Sequence, residues 1–258
     1  MGLKEIATKF GGVSTDLETN FVKSIDRYLL NSLGGNRKLI KKIYPSNYYK
    51  CLRQIYYIYK TGKQQAEFPL GIRWTECGNI THEWIQNKII MGMAKEGMLE
   101  VVSKYTQAGV NFINTMEGTS PLEVKFTTMN YTKNFPISAM VDGIVNFQNR
   151  LFIFEFKTTK DEKFNEIVET NEPIIDHYRQ GALYSLCLKL PVMFLYYNKN
   201  NQKLKPLFVE YTDEQHEQVK QRLIDMDTAL LLKELPEKDA SDCTWCTFKT
   251  KCKKNLLY

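Results

Sequence analysis

Asp142, Glu155 and Lys157 occur in the middle of the chain in a pattern that suits hydrolysis of a phosphate ester. Carboxylate oxygens are the ligands that Mg²⁺ and Mn²⁺ prefer. The bound cation neutralises charge on the phosphate and acidifies a water molecule. A lysine beside the carboxylates can orient that water or stabilise the charged transition state. These three residues are therefore the candidate catalytic group.

A strand hairpin is the element that would position them. The segment SAMVDGIVNFQNRLFIFEFKTT, residues 138–159, predicts two strands joined by a tight turn at Gln148-Asn149 or Asn149-Arg150. In the second strand Glu155 and Lys157 are two residues apart and share one face. The other face carries three aromatic residues that can pack into the core, namely Phe152, Phe154 and Phe156.

The length of the turn decides whether Asp142 joins the other two residues. A two-residue loop at Gln148-Asn149 places Asp142 opposite Glu155, because antiparallel partners point to the same side. An odd-length loop without a bulge would send Asp142 to the opposite face. For an isolated D…ExK pattern, the plain alternative is a surface ion pair on a half-exposed hairpin.

Two further motifs flank this hairpin in the sequence. Gly78-Asn79-Ile80-Thr81-His82 is a GxxxH at the start of a predicted helix, and Gln180-Gly-Ala-Leu-Tyr184 is a QxxxY. A spacing of four places Gln180 and Tyr184 on one helical face. Taken alone, His82 would more often be a satisfied polar residue and Tyr184 a core aromatic.

In this order the motifs resemble those of the RecB-like branch of the PD-(D/E)xK nucleases. The resemblance implies that His82, Asp142 and Glu155 are metal ligands, that the backbone carbonyl of Phe156 is a further ligand, and that Lys157 is the catalytic lysine. It also implies that Gln180 and Tyr184 organise the active site and contact DNA phosphate.

Other polar residues compete for these roles. His177 lies about one turn before Gln180 and is a reserve ligand, although a neighbouring polar residue is the plainer interpretation. Glu123 and Glu162 lack the pairing context of Asp142 and Glu155.

The cysteines are unevenly distributed. Cys243, Cys246 and Cys252 form a CxxC followed by a third cysteine, and Cys51 begins a CLRQIYY segment. This pattern resembles AddB-type nucleases and the CRISPR-adaptation accessory exonucleases, which implies a 4Fe-4S cluster that joins the N-terminal basic segment to the tail. Thiolates also suit zinc, and three unrelated free thiols are the plain alternative. We expect the remaining cysteines, Cys77 and Cys187, to be buried small hydrophobes.

A basic, tyrosine-rich stretch covers residues 37–63. Lysines and arginines suit phosphates, and tyrosines suit unstacked bases. The net charge of +6 agrees with a polyanionic partner, although such an excess is as often a solvated surface. The candidate DNA-binding residues are Lys50, Arg53, Tyr56, Tyr57, Gln180 and Tyr184.

The chain of 258 residues fits one compact body. We expect an N-terminal helical extension over residues 1–40 and a RecB-like nuclease domain over residues 41–258. The fold class is α/β, with a central mixed sheet flanked by helices. The pattern predicts helices from about 78 to 93, 173 to 189 and 213 to 233, and a strand over 192–197.

The resulting expectation is a Mg²⁺- or Mn²⁺-dependent deoxyribonuclease that acts as an exonuclease on single-stranded DNA or DNA ends. It would serve replication, recombination, repair or CRISPR adaptation, in a cell or a phage, and RNA stays open as a substrate. Because the sequence lacks GxxxxGK[ST], unwinding requires a partner such as a helicase, a recombinase or a CRISPR integrase. A non-catalytic DNA-binding subunit is the alternative.

No signal-peptide pattern and no long apolar window occur in the sequence. We therefore expect a cytoplasmic protein without a membrane partner.

Overall fold

The computed structural model describes residues 15–32, 42–61, 69–113, 122–232, 234–238, 243, 246 and 248–255. In chain order the helices are α1 Thr15–Ser32, α2 Pro45–Tyr48, α3 Leu52–Thr61, α4 Pro69–Trp84, α5 Met91–Lys95, α6 Asp161–Thr170, α7 Ile175–Leu188, α8 Asp213–Leu231 and α9 Lys249–Lys253. A π-helix, Ile85–Ile90, joins α4 to α5. The strands are β1 Glu100–Val101, β2 Val110–Ile113, β3 Val124–Thr128, β4 Ile137–Val141, β5 Gly143–Phe147, β6 Arg150–Thr159, β7 Val192–Asn198 and β8 Leu204–Val209.

The strands form two sheets. The larger sheet has the order β1-β5-β6-β7-β8, and the smaller sheet has the order β2-β3-β4. β6 and β7 are parallel, whereas the other pairs in the larger sheet are antiparallel. The parallel pair is connected through α6 and α7, as a parallel connection requires. The expected α/β class with a mixed sheet flanked by helices is confirmed.

The turn between β5 and β6 is the two-residue loop Gln148-Asn149. Both residues have positive φ, 51° and 62°, which is the backbone of a tight hairpin turn. The register pairs Phe147 with Arg150 and Gly143 with Phe154. Asp142 therefore approaches β6 beside Glu155, as the even-length loop predicts.

Helices cover both faces of the larger sheet. The three phenylalanines of β6 pack with Ile85 and Ile90 of the π-helix in one cluster. On the other side, Ile153 belongs to the main cluster together with Leu183 and Leu186 of α7. The alternation predicted for β6 is confirmed, because its aromatic face is buried while Glu155 and Lys157 point towards α7.

A buried carboxylate on α8 fixes the loop that enters β4. Asp227 is 5% exposed. It accepts hydrogen bonds from the backbone N–H groups of Lys133, Asn134 and Phe135, at 3.1, 3.2 and 2.9 Å. The loop N–H groups are thereby satisfied within the protein rather than by water. The loop that leads into β4 is thereby tied to α8.

Several boundaries and environments differ from the expectations. The helix that carries His82 begins at Pro69, nine residues before Gly78. Cys187 is buried as expected, but Cys77 is exposed, because this position of α4 faces away from the core. Residues 1–14 and 33–40 of the predicted N-terminal helical extension lie outside the described residues.

The N-terminal region is described as α1 alone. Arg73 of α4 forms a salt bridge of 2.9 Å with Asp26 of α1. Phe21 and Tyr28, which the sequence places at helical spacing, are 70% and 66% exposed. Throughout the described ranges, no helix is both long enough and apolar enough to cross a membrane.

Candidate active site

Asp142, at the bend between β4 and β5, is the meeting point of three elements. Its Oδ2 lies 2.8 Å from Nε2 of His82 on α4. The same oxygen accepts a hydrogen bond of 2.7 Å from the backbone N–H of Phe156 on β6. The ring of His82 also packs edge-on against Phe156, with centroids 5.4 Å apart. The structure thus brings the predicted histidine and aspartate together.

Glu155 and Lys157 form a buried ion pair beside Asp142. Nζ of Lys157 donates to Oε2 of Glu155 at 2.8 Å. Glu155 is 2% exposed, and its other oxygen, Oε1, is buried without a hydrogen-bond partner. An unsatisfied buried acceptor costs free energy, so such an atom in a folded protein calls for a ligand. Oε1 of Glu155 is a natural position for a cation to bind.

A chain of hydrogen bonds holds the lysine from the side of α7. Nζ of Lys157 donates to Oε1 of Gln180 at 3.2 Å. The amide Nε2 of Gln180 donates to the hydroxyl of Tyr184 at 2.8 Å, and that hydroxyl donates to the carbonyl of Met140 on β4 at 3.0 Å. The QxxxY motif therefore connects the lysine to the backbone two residues before Asp142.

This arrangement corrects the expectation that Tyr184 contacts DNA phosphate. Tyr184 is 3% exposed, and its hydroxyl is engaged with Gln180 and Met140. Its geometry is that of a residue that orients the active site from within the core. Gln180 is partly exposed beside Lys157, so phosphate contact by Gln180 stays a prediction.

Burial and neighbouring charges shift the pKa values of Glu155, Lys157 and His82. Burial, followed by the neighbouring charge of Asp142, raises the pKa of Glu155 to about 7, against the opposing effect of Lys157. Burial lowers the pKa of Lys157, but the charges of Glu155 and Asp142 outweigh it and the pKa is raised. For His82, burial likewise acts downward, while the hydrogen bond and charge of Asp142 make the net shift upward.

Within the described part of the chain, no three His, Cys, Asp or Glu side chains are already arranged as a metal-binding group. At the active site the ligand atoms are instead bonded to one another. His82 bonds to Asp142, and Lys157 takes one oxygen of Glu155. Carboxylate oxygens are nonetheless suitable donors for Mg²⁺ or Mn²⁺, and Oε1 of Glu155 has no hydrogen-bond partner among the described residues. The donor set fits a divalent cation.

Two residues near the site were not assigned to it from the sequence. Gln86 is 1% exposed, and its amide Nε2 lies 3.4 Å from the carbonyl of Asp142. Its position four residues after His82 is the signal that was available. Glu123 lies close enough to Asp142 to have its pKa raised by burial and by that charge. Glu123 was set aside because it lies outside the hairpin.

The other competing residues lie elsewhere. Nδ1 of His177 is 3.0 Å from the hydroxyl of Tyr196, so this histidine is bonded to β7 rather than to Asp142 or Glu155. Glu162 lies in the first turn of α6 and is exposed.

The four cysteines of the predicted cluster line one cavity of about 590 Å³. Burial raises the pKa of the Cys246 thiol, and Cys243, Cys51 and Cys252 are near enough to contribute to that rise. Cys51 precedes α3, whereas the other three belong to the C-terminal tail. The four thiols share this cavity, but no three of these described cysteines are arranged to hold a metal ion.

The residues around this cavity correct part of the DNA-binding prediction. Tyr56 and Tyr57 have no exposed surface, and Tyr57 stacks on Phe248 with centroids 5.2 Å apart. Neither ring can stack on a base. The guanidinium of Arg53 donates to the carbonyl of Pro236 at 2.7 Å and to Oδ1 of Asn255 at 3.0 Å. Nζ of Lys50 donates to Oδ1 of Asn47 at 2.8 Å.

These contacts tie α3 to the tail. Arg53 also approaches Sγ of Cys252 at 3.7 Å. Arg53 and Lys50 line the cavity, and their contact with DNA stays a prediction.

Several solved structures are similar to this chain. SSO0001 is 16% identical, covers 92% of this chain and 98% of its own, and superposes with a TM-score of 0.49. LHK-Exo in complex with dAMP is 13% identical over 74% of this chain and 88% of its own, with a TM-score of 0.47. A further structure of LHK-Exo, an alkaline exonuclease from Laribacter hongkongensis, is 12% identical over the same shares, with a TM-score of 0.41.

A comparison with curated protein sequences finds no match. A model of the PD-(D/E)XK nuclease superfamily, in contrast, matches residues 91–253, which include Asp142, Glu155, Lys157, Gln180 and Tyr184. This match covers more than half of the chain and contains the carboxylates and the lysine whose geometry is described above. The chain belongs to the PD-(D/E)XK nuclease superfamily.

Proposed function

We propose that this protein is a metal-dependent deoxyribonuclease that hydrolyses single-stranded DNA or DNA ends, most readily as an exonuclease. The observation that carries the proposal is the buried Glu155, with one oxygen on Lys157 and the other without a partner, next to Asp142. A pure scaffold has no use for a second carboxylate next to a buried one whose pKa it raises.

The side chains that would hold the cation are His82, Asp142 and Glu155, with the backbone carbonyl of Phe156 as the ligand implied by the RecB-like motifs. When bound, Mg²⁺ or Mn²⁺ neutralises phosphate charge and acidifies a water molecule.

The remaining groups act through position. Lys157 holds its ammonium between Glu155 and Gln180, where it can orient a water molecule or stabilise charge that develops on the phosphate. Gln180 and Tyr184 keep that ammonium in place, because their hydrogen bonds end on the backbone of β4. Gln86 and the N–H of Phe156 fix the backbone and side chain of Asp142.

The test is digestion of end-labelled single-stranded and double-stranded DNA with Mn²⁺, Mg²⁺ or EDTA, for the wild type and Lys157→Ala. We expect cleavage by the wild type in either metal and not in EDTA. The variant should lose about a hundredfold or more in rate while it still binds DNA. Lys163→Ala is the matched control, because Lys163 lies on the exposed surface of α6 and pairs with Glu166.

Unchanged cleavage by Lys157→Ala would refute the mechanism. DNA binding by the wild type without cleavage in any metal would instead favour a non-catalytic DNA-binding subunit. Labelled RNA in parallel decides between the two nucleic acids.

We further propose that Cys51, Cys243, Cys246 and Cys252 bind a 4Fe-4S cluster. The support is their convergence on one cavity from the two ends of the domain. Anaerobically purified protein should be brown and contain about four iron atoms and four sulfides per chain. If the protein is colourless and contains zinc, the site is a zinc site rather than an iron-sulfur cluster. If the protein contains neither metal, the proposal is wrong.

We propose that the protein acts in replication, recombination, repair or CRISPR adaptation. DNA degradation during replication, recombination, repair or CRISPR adaptation requires single strands or ends, and a helicase, recombinase or integrase partner would supply them. Co-purification from the source cell tests which of these partners binds.

A further inference from the structure

α4 runs beside the second half of β6 and carries more than His82 along it. His82 packs on Phe156, as described above. One turn earlier on the helix, a Cβ placed on Gly78 would lie 4.0 Å from Oγ1 of Thr158. One further turn back, the indole of Trp74 lies under Nζ of Lys160, 5.1 Å from the ring centroid. Positions 82, 78 and 74 of α4 therefore lie beside positions 156 and 158 of β6 and position 160, which follows the strand, in that order.

The second half of β6 extends beyond the end of its pairing with β5. β5 pairs with β6 from Arg150 to Phe154, and β7 pairs with the opposite edge as far as Thr159. Among the described residues, no strand pairs with the β5 side of β6 after Phe154. The catalytic residues lie where this edge begins.

Among the described residues, nothing in the packing requires a glycine at position 78. The nearest atom to an added Cβ would be at an ordinary contact distance, so alanine would fit. A glycine inside a helix costs about 1 kcal/mol relative to alanine. A residue that weakens its helix without relieving a clash is expected where another chain must approach the backbone closely. Gly78 lies between His82 and Trp74, on the path that leads away from the catalytic centre.

Trp74 is exposed and lies next to a cationic side chain, and both features suit a residue that binds a nucleotide. It is 47% exposed, and Lys160 beside it is exposed as well. Single exposed aromatic residues are common on protein surfaces. An indole next to an ammonium, two turns from a phosphodiesterase centre, is a more specific arrangement, because the ring can stack on a base while the cation meets its phosphate.

We propose that Trp74, Gly78 and Lys160 form a nucleotide subsite of the nuclease, in which one base of a single-stranded substrate stacks on Trp74 and the sugar-phosphate chain passes over Gly78. The proposal rests on the function proposed above. Trp74 lies about 12 Å from His82 along the helix axis, roughly the length of three to four stacked nucleotides. The subsite therefore binds the strand a few nucleotides away from the scissile phosphate.

The test is binding of fluorescein-labelled oligothymidylate to the whole protein, measured by fluorescence anisotropy in EDTA so that cleavage does not interfere. Trp74→Ala should weaken binding about tenfold, and Trp74→Phe should restore most of it. Trp84→Ala is the matched control, because Trp84 lies on the same helix with the same exposed fraction, 47%, but packs near Tyr197. This control should bind as the wild type does.

The Gly78→Ala variant distinguishes a role of Gly78 in DNA binding from a role in the stability of the fold. Alanine should raise the melting temperature of the protein, because it favours the helix, and yet weaken oligonucleotide binding. With Mn²⁺ present, Trp74→Ala should raise KM and leave kcat near the wild-type value.

Each outcome has a separate meaning. Wild-type binding by Trp74→Ala, or equally poor binding by Trp74→Phe, would overturn the subsite while the nuclease proposal stands. If Gly78→Ala binds the oligonucleotide as tightly as the wild type, the strand does not pass closely over Gly78. Failure of the wild type itself to bind or cleave DNA would overturn the proposed function first.

Discussion

Tyr184 illustrates how a single hydroxyl links two parts of the active site. It accepts from Gln180, which in turn accepts from the ammonium of Lys157, and it donates to the carbonyl of Met140. The sequence motif identified the residue but suggested contact with phosphate. Burial of the ring makes it a positioning residue that acts through Gln180.

Tyr184→Phe should lower kcat about tenfold or more, because Gln180 loses the partner that fixes its orientation. The stability should fall by about 1 kcal/mol for the lost hydrogen bond. KM for DNA should stay at the wild-type value, and a large rise in KM would restore the phosphate-contact hypothesis. Steady-state kinetics and urea denaturation measure the two effects.

Tyr211→Phe provides the control for that change. Its hydroxyl donates to the carbonyl of Tyr178 at 2.9 Å and has no bond to the lysine network. The same atom is deleted, so a similar loss of stability with unchanged kcat is expected.

His177 should make the fold sensitive to acid. Burial, with a smaller effect of Lys157, lowers its pKa to about 3. In the unfolded chain the imidazole takes a proton near pH 6.5. The stability that depends on neutral His177 is therefore fully present above about pH 6.5 and is lost as the pH falls towards 3.

His177→Gln should remove that sensitivity, since glutamine can still bond to Tyr196 and does not titrate. Between about pH 7.5 and about pH 5, the wild type should lose about 2 kcal/mol more stability than the variant. Urea denaturation at both pH values measures the difference. Parallel losses in the two proteins would show that His177 is protonated readily in the folded state.

At the scale of elements, the β5-β6 hairpin was predictable, whereas for the helix predicted over residues 78–93 the start and the π-helical part were not. Alternation along β6 and the polar pair Gln148-Asn149 specify the faces and the turn locally. The start of α4 at Pro69 and the π-helix after it leave no comparable local pattern. The burial of Tyr56 and Tyr57 depends on Phe248, nearly two hundred residues later in the chain, so a tyrosine-rich basic stretch resembled a binding surface.

Asp227 connects α8 to the loop before β4, so its side chain should contribute to the stability of the fold although it lies outside the active site. Asp227→Ala removes the acceptor for three backbone N–H groups of the loop before β4 and should cost about 3 kcal/mol of stability. Asp225→Ala, on the same helix, loses only a local bond to Gln221 and should cost less than about 0.5 kcal/mol. Equal costs in chemical denaturation would show that the loop is held by other contacts.

At the scale of the whole molecule, α3 and the C-terminal tail meet at the cysteine cavity. Stacking of Tyr57 on Phe248 and the bonds of Arg53 join them without a metal. A cluster would add four bonds between segments that lie far apart in the sequence, and cross-links that close long loops stabilise the folded state most. The meeting of the four cysteines at one cavity was predictable from their spacing, whereas the choice between an iron-sulfur cluster and zinc depends on electronic chemistry that spacing does not encode.

Cys246→Ser should lower iron content, solubility and melting temperature together. Cys77→Ser is the matched control, because Cys77 is exposed on α4 and should leave all three unchanged. Iron analysis and thermal denaturation on anaerobically purified protein check both variants. Full iron content in Cys246→Ser would exclude Cys246 as a ligand.

The π-helix after His82 has a consequence for how this protein can change in length. Each residue of an α-helix turns the chain by about 100°, and a π-turn contains one extra residue. Deleting one residue between Ile85 and Ile90 would let the helix rewind while its apolar face stays in the core. Because the π-turn has absorbed that residue, His82 would keep its direction towards Asp142. In engineering or natural drift, this six-residue stretch is therefore a place where the chain can lose one residue and keep its active site.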